Sequence, residues 1–189
     1  MRIAINGFGR IGRVTARILQ QRNDIELVAV NDLTDTRTLA HLFKYDSVHG
    51  VFSGEVGHDP EHLLLNGRIV KAFAQKDPAA LPWKQLGIDV VIESTGLFLT
   101  REAATMHLKA GAKRVLLSAP AKDPDIRTVV LGVNDHVIDP ADPASIERAF
   151  VLDKKIVARA LALGGTCTGE HGIGIDKRDF LLQEAGVEA

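Results

Sequence analysis

The sequence predicts an α/β fold in which helices cover an open, doubly wound and mostly parallel sheet. Two observations predict this class. A β-branched strand, a helical repeat and a second apolar strand follow one another within residues 2–30, and a strand–helix–strand unit of this length pairs its strands in parallel. A continuous apolar stretch within residues 89–93 is typical of a strand that is buried on both faces.

The first elements can be placed from their patterns. A strand at Arg2–Ile5 ends at Asn6-Gly7, a helix runs from about Arg10 to Gln21, and a second strand covers Leu27–Val30. Helical spacing predicts an apolar inner side and a charged outer side for this helix. The inner residues are Ile11, Val14 and Ile18, with Thr15 less clearly placed, and the outer residues are Arg13, Arg17 and Gln21.

Turn and capping residues mark the later elements. Asn66-Gly67 predicts a tight hairpin turn, because both residues tolerate positive φ. Thr100 predicts the start of a helix that runs to Ala110, and Gly111 predicts its end. Further strands are predicted at Asp89–Glu93, Val115–Leu117 and Thr128–Leu131.

The residues after 134 differ in character, so we divide the chain into domains 1–134 and 135–189. A turn-forming segment at residues 139–143 precedes a helix that is capped by Asp142 and extends to about Leu163. A glycine-rich loop follows at residues 166–174. We expect the helix and this tail to pack on the sheet domain.

The composition excludes several classes of function. The chain has 189 residues, of which 46% are hydrophobic and 25% charged, and its formal net charge is −1. A near-neutral chain lacks the bulk attraction that nucleic acid or an acidic membrane requires, and no apolar run approaches the about 18 residues of a spanning helix. The single cysteine excludes an internal disulfide framework and suits a reducing cytoplasm. We therefore expect a cytoplasmic protein with neither a nucleic-acid nor a membrane partner.

The segment Gly7-Phe8-Gly9-Arg10-Ile11-Gly12 has the G-x-G-x-x-G pattern between a strand and a helix, and Asp32 ends the second strand. In this context the glycines permit a tight turn, a close backbone approach to a diphosphate, and close helix packing. Asp32 would accept hydrogen bonds from the adenosine ribose and repel a 2′-phosphate, which favours NAD over NADP. The alternative is a tight strand-to-helix turn that binds no ligand.

Six segments carry a family resemblance over residues 1–134. They are residues 5–13 (INGFGRIGR), 31–35 (NDLTD), 44–50 (KYDSVHG), 77–83 (DPAALPW), 93–98 (ESTGLF) and 118–122 (SAPAK). With them the chain resembles the glyceraldehyde-3-phosphate dehydrogenases, which implies a Rossmann-type NAD-binding domain. The erythrose-4-phosphate dehydrogenases share most of these segments, so the sugar substrate stays open.

The resemblance also implies roles for single residues. Arg10 and Ile11 would contact the diphosphate, and Asp32 the ribose. Lys76 would lie on the adenine side, and Thr95, Gly96 and Ser118 would line the path toward the nicotinamide. The expected cofactor-binding residues are Gly7, Phe8, Gly9, Arg10, Ile11, Gly12, Asp32, Lys76, Thr95, Gly96 and Ser118.

The nucleophile motif of this family is not found. In the family, the strand corresponding to the one that ends at Asn134 leads to a Ser-x-x-Ser-Cys-Thr-x-x-Cys-like segment and a catalytic domain. Cys167 is the chain's single thiol and precedes Thr168 and His171. Its flanking pattern is wrong, however, and a lone cysteine is more often a small filler residue. We expect no catalytic residue and a chain that is inactive on its own.

The tail resembles the C-terminal end of FAD-linked D-lactate dehydrogenases and glycolate oxidases, through residues 160–174 (ALALGGTCTGEHGIG) and 177–181 (KRDFL). In related enzymes a Glu-His pair holds a metal or touches the substrate, which makes Glu170, His171 and His136 candidates. We favour a solvated glycine-rich cap without a metal. The change of resemblance leads to the hypothesis of a fused, engineered or generated sequence joined between Gly132 and Asp142.

His58 and His62 also have a metal-clasp spacing, but Pro60 breaks the helix that such a clasp needs, so a solvated loop is favoured. The function best supported is an NAD-binding module without its usual catalytic domain, which could form homo-oligomers through the face that such a domain would cover. Three alternatives stay open. They are a phosphorylating aldehyde dehydrogenase completed by a partner, a flavin- or metal-dependent 2-hydroxyacid oxidoreductase fragment, and a structural protein.

Overall fold

The computed structural model describes residues 1–130, and the chain divides into two units, Met1–Arg127 and Thr128–Ala189. The first unit contains the sheet and its helices. Its elements are β1 (Arg2–Asn6), α1 (Arg10–Leu19), β2 (Glu26–Asn31), α2 (Thr36–Lys44), β3 (Tyr45–Asp46), β4 (Gly50–Val51), β5 (Val56–His58), β6 (His62–Leu65), β7 (Arg68–Phe73), a 3-10 turn (Pro78–Ala80), β8 (Val90–Glu93), α3 (Arg101–Lys109) and β9 (Arg114–Leu117).

Seven strands form one sheet in the order β5-β6-β7-β2-β1-β8-β9. The pairs from β7 to β9 are parallel, whereas β5 and β6 add an antiparallel edge. The chain proceeds from β1 to β2 on one side and later returns to place β8 on the other side of β1. The strand order therefore reverses at β1, and this reversal opens a crevice at the carboxyl ends of the strands. The predicted doubly wound, mostly parallel sheet is confirmed.

The sheet separates two hydrophobic clusters, because successive strand residues point to opposite faces. Ile3 and Ile5 of β1 belong to the cluster that includes residues of α1 and α2. Ala4, between them, belongs to the cluster around Trp83 and Ile88. Burial on both faces explains why β1, β2 and β8 appear as continuous apolar runs in the sequence.

The predicted turns and caps are confirmed. Leu65 pairs with Arg68, so Asn66 and Gly67 form a two-residue turn, and both have positive φ, 52° and 76°. The Thr100 side chain accepts a hydrogen bond from the N–H of Ala103 at the start of α3. Gly111, just beyond α3, has a φ of 104°.

The predicted inner side of α1 is wrong. Ile11 and Ile18 are 53% and 57% exposed, whereas Arg17, predicted outside, is only 9% exposed. The Arg17 guanidinium donates to the carbonyl oxygens of Phe43, at 2.6 and 3.0 Å, and of Gly50, at 3.0 Å. A buried arginine is stable where its donors are paired, and these carbonyls supply the pairing. The small residues Gly12 and Ala16 are buried beside it.

Two further predictions meet a different outcome. Thr128–Val130 are not in a strand, because a β-branched run forms a strand only where it can pair and cover a face, and Val129 is 60% exposed. His58 and His62 lie on β5 and β6, on either side of a hairpin turn rather than in an unstructured loop. Leu131, the predicted tail helix and the glycine-rich loop lie outside the described residues.

Candidate functional site

A pocket of about 520 Å³ opens at the carboxyl ends of β1, β2 and β8. Asn6 and Asn31, the last residues of β1 and β2, lie at its base, and Ser94 and Thr95 follow β8 on one rim. Gln75 and Lys76, which follow β7, form the opposite rim. A crevice at this edge of an open parallel sheet, where the strand order reverses, is the usual ligand site of such folds.

The glycine loop, residues 7–12, joins β1 to α1 beside the pocket. A Cβ on Gly7, whose φ is 91°, would lie 2.6 Å from the backbone nitrogen of Thr95, and a Cβ on Gly12 would lie 2.2 Å from the Gly7 carbonyl oxygen. Both positions therefore require glycine so that β1, α1 and the loop after β8 can approach each other. A Cβ on Gly9 would meet nothing within 4 Å, so Gly9 leaves open space at the pocket instead.

The N-terminus of α1 is left available to a ligand. The helix begins at Arg10, and its N-cap residue, Gly9, supplies no side-chain hydrogen bond; the first turn contains no acidic residue. The first N–H groups of a helix have no partner within the helix, and together with the helix dipole they attract an anion. This arrangement favours a diphosphate at the Gly9 end of the pocket.

Asp32 connects the loop to β2. One carboxylate oxygen accepts the N–H of Phe8 at 2.8 Å, and the other accepts the N–H of Thr34 at 3.1 Å. The Phe8 N–H, which belongs to a predicted cofactor-binding residue, is thus already paired with Asp32. Each carboxylate oxygen accepts more than one hydrogen bond, and the half-buried Asp32 lines the pocket, so it retains capacity for a ribose hydroxyl.

The structure brings together only part of the predicted residue set. Among the predicted residues, Gly7, Gly9, Asp32, Lys76 and Thr95 line the pocket. Gly12 is buried beneath the loop, and Gly96, with a φ of 73°, adjoins the lining residue Thr95 without lining the pocket itself.

Four predicted residues lie elsewhere. The ring of Phe8 is fully buried and stacks on Phe43 with a centroid distance of 6.0 Å. Arg10 and Ile11 line a separate depression beside α1. Ser118 is exposed after β9, and its N–H donates to the Glu93 carbonyl. Ser118 is exposed because β9 is the last strand of the described sheet, where few neighbours cover the residue that follows the strand.

Several pocket residues were missed by sequence reasoning. They are Asn6, Asn31, Leu33, Gln75, Ser94, Leu97 and Phe98. Asn6, Asn31 and Glu93 are the final residues of three adjacent parallel strands. A polar residue at the end of each such strand was the available signal, because these ends meet at the ligand edge.

Beneath the pocket, Glu93 is fully buried and accepts several hydrogen bonds. Its Oε2 lies 2.6 Å from Asn6 Nδ2 and 2.9 Å from His107 Nε2. Its Oε1 accepts the backbone N–H of Thr95 at 2.7 Å and also the Thr95 hydroxyl. Burial raises the pKa of Glu93, but the hydrogen bonds from His107, Thr95 and Asn6 outweigh that effect and hold the pKa below its ordinary value.

Other kinds of site find no support within residues 1–130. No group of three or more His, Cys, Asp or Glu residues in this part of the chain is placed to hold a metal ion. No helix in the same part is long and apolar enough to cross a membrane. The candidate residues that lie outside the described part of the chain are Cys167, His136, Glu170 and His171.

Two family models match different parts of the chain. Residues 1–101 match the family described as glyceraldehyde 3-phosphate dehydrogenase, NAD binding domain. Residues 135–189 match the family described as FAD linked oxidases, C-terminal domain. The second match begins inside the interval that was predicted for the junction, and both predicted resemblances are confirmed.

Curated relatives cover the front of the chain. The glyceraldehyde-3-phosphate dehydrogenase of Thermotoga maritima is 58% identical over 141 residues, which are 74% of this chain and 42% of that protein. The enzymes of Mycoplasma pneumoniae and Geobacillus stearothermophilus are each 54% identical, over 142 and 140 residues, and again 42% of their length is covered. The chain thus spans less than half the length of these relatives.

Proposed function

Because residues 1–101 match that family model over more than half of the chain, the chain belongs to the NAD-binding-domain family of the glyceraldehyde-3-phosphate dehydrogenases, and we propose that its pocket holds NAD between the glycine loop and Asp32. NAD is the cofactor of this domain. In the proposed arrangement the diphosphate lies at Gly9 and the N-terminus of α1. The adenosine ribose lies against Asp32, and the nicotinamide half extends toward Thr95.

One observation carries this proposal: the open space at Gly9 adjoins the uncapped start of α1, and both lie beside a carboxylate with spare acceptor capacity. A diphosphate needs the first two features and a ribose diol needs the third. The residues present therefore fit the cofactor. Lys76 on the opposite rim adds a positive charge on the adenine side.

We further propose that the module selects NAD over NADP. The Asp32 carboxylate would accept a hydrogen bond from a 2′-hydroxyl but would repel a 2′-phosphate at the same position. Its two hydrogen bonds to the backbone N–H groups of Phe8 and Thr34 fix its position, so it has little freedom to move away from a phosphate.

Holding NAD does not supply the chemistry of the full-length relatives. Oxidation through a thioester needs a thiolate, a base to activate it and donors for the oxyanion. Within residues 1–130 there is no cysteine, and Cys167 lacks the flanking pattern of the family's nucleophile. We propose that the chain binds NAD without oxidising an aldehyde on its own, and that the division between its two domains lies near residue 134.

Titration calorimetry of the full chain with NAD, NADP and FAD tests the proposal. We expect binding of NAD, weaker binding of NADP and no binding of FAD. Asp32→Asn removes the charge but keeps the shape, and should narrow the preference for NAD over NADP. Asp24→Asn, at an exposed carboxylate outside the pocket, is the matched control and should leave the ratio unchanged. Absence of NAD binding at millimolar concentration would refute the proposal.

Activity and assembly are tested separately. Turnover of glyceraldehyde 3-phosphate with phosphate and NAD, abolished by Cys167→Ala, would replace the binding-module proposal with an active dehydrogenase. We also propose that the chain is cytoplasmic and forms a homo-oligomer, and sedimentation of the purified chain would decide the oligomeric state.

A further inference from the structure

Two hydrogen-bonded chains of side chains end on the Glu93 carboxylate. In the first, Trp83 Nε1 lies 3.0 Å from His107 Nδ1, and His107 Nε2 lies 2.9 Å from Glu93 Oε2. All three side chains are fully buried. This first chain links the core beside α3 to the Glu93 carboxylate beneath the pocket.

The second chain crosses the ends of three strands. The backbone N–H of Gln75 donates to Asn31 Oδ1 at 2.8 Å, and Asn31 Nδ2 donates to Asn6 Oδ1 at 2.7 Å. Asn6 Nδ2 then donates to Glu93 Oε2 at 2.6 Å. Asn6, Asn31 and Gln75 all line the pocket, so this chain runs along its base from one rim to the other.

The direction of every bond in both chains is determined by their outer ends. An indole N–H and a backbone N–H can only donate. His107 Nδ1 must therefore accept from Trp83, which leaves the His107 proton on Nε2, pointing at Glu93. By the same logic Asn31 must accept from Gln75 through Oδ1 and donate to Asn6 through Nδ2. Asn6 must then accept through Oδ1 and donate to Glu93 through Nδ2. Both chains therefore end in a donor, and the oxygen where they meet, Glu93 Oε2, must be an acceptor that carries no proton.

We propose that Glu93 is a positioning residue for nucleotide binding, which holds both rims of the pocket by fixing Thr95 directly and Asn31 and Gln75 through Asn6. Glu93 does not line the pocket itself. Instead, its carboxylate accepts the hydrogen bonds that orient the residues lining the pocket. The inference rests on the proposed function, because it explains how that site is held open in one geometry.

Glu93→Gln tests the acceptor role with almost no change in shape. A glutamine can direct its single oxygen either toward His107 and Asn6 or toward Thr95, so donors face donors on the other side. We expect the dissociation constant for NAD to rise about 10-fold, the change that accompanies loss of one hydrogen bond to a charged group. Glu55→Gln, an exposed carboxylate outside the pocket, is the matched control and should bind NAD normally.

A pair of His107 variants tests the same role even if Glu93→Gln does not fold. The amide nitrogen of a glutamine overlies Nε2 of a histidine, and the amide oxygen of an asparagine overlies Nδ1. His107→Gln therefore keeps the donor to Glu93, whereas His107→Asn keeps only the acceptor for Trp83. We expect the Gln variant to bind NAD more tightly than the Asn variant by about 3-fold, a fraction of one hydrogen bond.

The sole tryptophan supplies a readout that a purely structural role would not move. The Trp83 indole N–H gives a single nuclear magnetic resonance signal in ¹⁵N-labelled protein, and it lies two hydrogen bonds away from Glu93. We expect NAD to shift this signal in the wild type but not in His107→Asn. Equal NAD affinity in the folded Glu93 variant, or equal affinity in the two His107 variants, would overturn the inference. Failure of the wild type to bind NAD would instead refute the proposed function.

Discussion

Replacing Arg17 removes a cation that holds together two parts of the fold. Its guanidinium donates twice to the Phe43 carbonyl and once to the Gly50 carbonyl, and it lies 5.7 and 5.8 Å from the ring centroids of Phe43 and Phe52. Phe43 belongs to the last turn of α2, where carbonyls lack partners within the helix. Arg17 of α1 therefore caps the C-terminal end of α2.

The magnitude follows from the groups that Arg17→Met would leave unpaired. Methionine retains the apolar stem, so the main loss is the pairing of two carbonyls. The buried Phe43 carbonyl would be left unpaired, whereas Gly50 is exposed and its carbonyl can bind water. An unpaired buried carbonyl costs about 1–3 kcal/mol, so the free energy of unfolding should fall by the same amount. Arg17→Ala also loses the stem and should cost about 1 kcal/mol more.

Urea denaturation followed by circular dichroism measures this loss directly. Arg22→Met is the matched control, because Arg22 pairs with Asp24 at the surface and an exposed pair contributes at most about 1 kcal/mol. A loss below about 1 kcal/mol for Arg17→Met, similar to that of the control, would refute the capping role of Arg17.

Three further predictions concern Gly12, Gly9 and the response of the fold to acid. Gly12→Ala should lower the free energy of unfolding by about 3 kcal/mol, because its Cβ would meet the Gly7 carbonyl at 2.2 Å in a packed interior. Gly9→Ala should leave thermal stability nearly unchanged, because its Cβ enters only open space, yet it should weaken NAD binding about 10-fold. A loss of stability in Gly9→Ala with unchanged NAD binding would contradict the placement of the diphosphate at Gly9. Because the pKa of folded Glu93 is lowered, its contribution to stability is complete above the ordinary pKa of about 4.3 and disappears as the pH falls further. Acid unfolding curves should therefore be shallower for Glu93→Gln than for the wild type, and identical curves would contradict this.

Sequence patterns predicted the elements whose causes are local. The turn at Asn66-Gly67 and the cap at Thr100 depend on neighbouring residues, so both appear in the structure as expected. The predicted buried face of α1 was wrong because it depends on residues that are distant in the sequence. Arg17 is buried because the carbonyl oxygens of residues 43 and 50 accept its hydrogen bonds. The sequence of α1 and its immediate neighbours does not show that these carbonyls are nearby.

In the site, too, the residues with a local sequence pattern were predicted and those placed by strand pairing were missed. Gly7, Gly9 and Asp32 were predicted because the phosphate-binding pattern states their roles within a short span. Asn6 and Asn31 were missed because their role arises from strand pairing, which places residues 6, 31 and 93 side by side. Glu93 carries no sign of burial in the sequence. Its partner His107 lies on α3, which reaches Glu93 only through the tertiary packing of the fold.

The buried contacts of Glu93 have a consequence for the order of events during synthesis. Trp83, Glu93 and His107 enter the growing chain in that order. A nascent polypeptide that has emerged only as far as Glu93 would hold an acid without its imidazole and an indole without its acceptor. Competence to take up nucleotide should therefore arise only once the whole of α3 has left the exit tunnel.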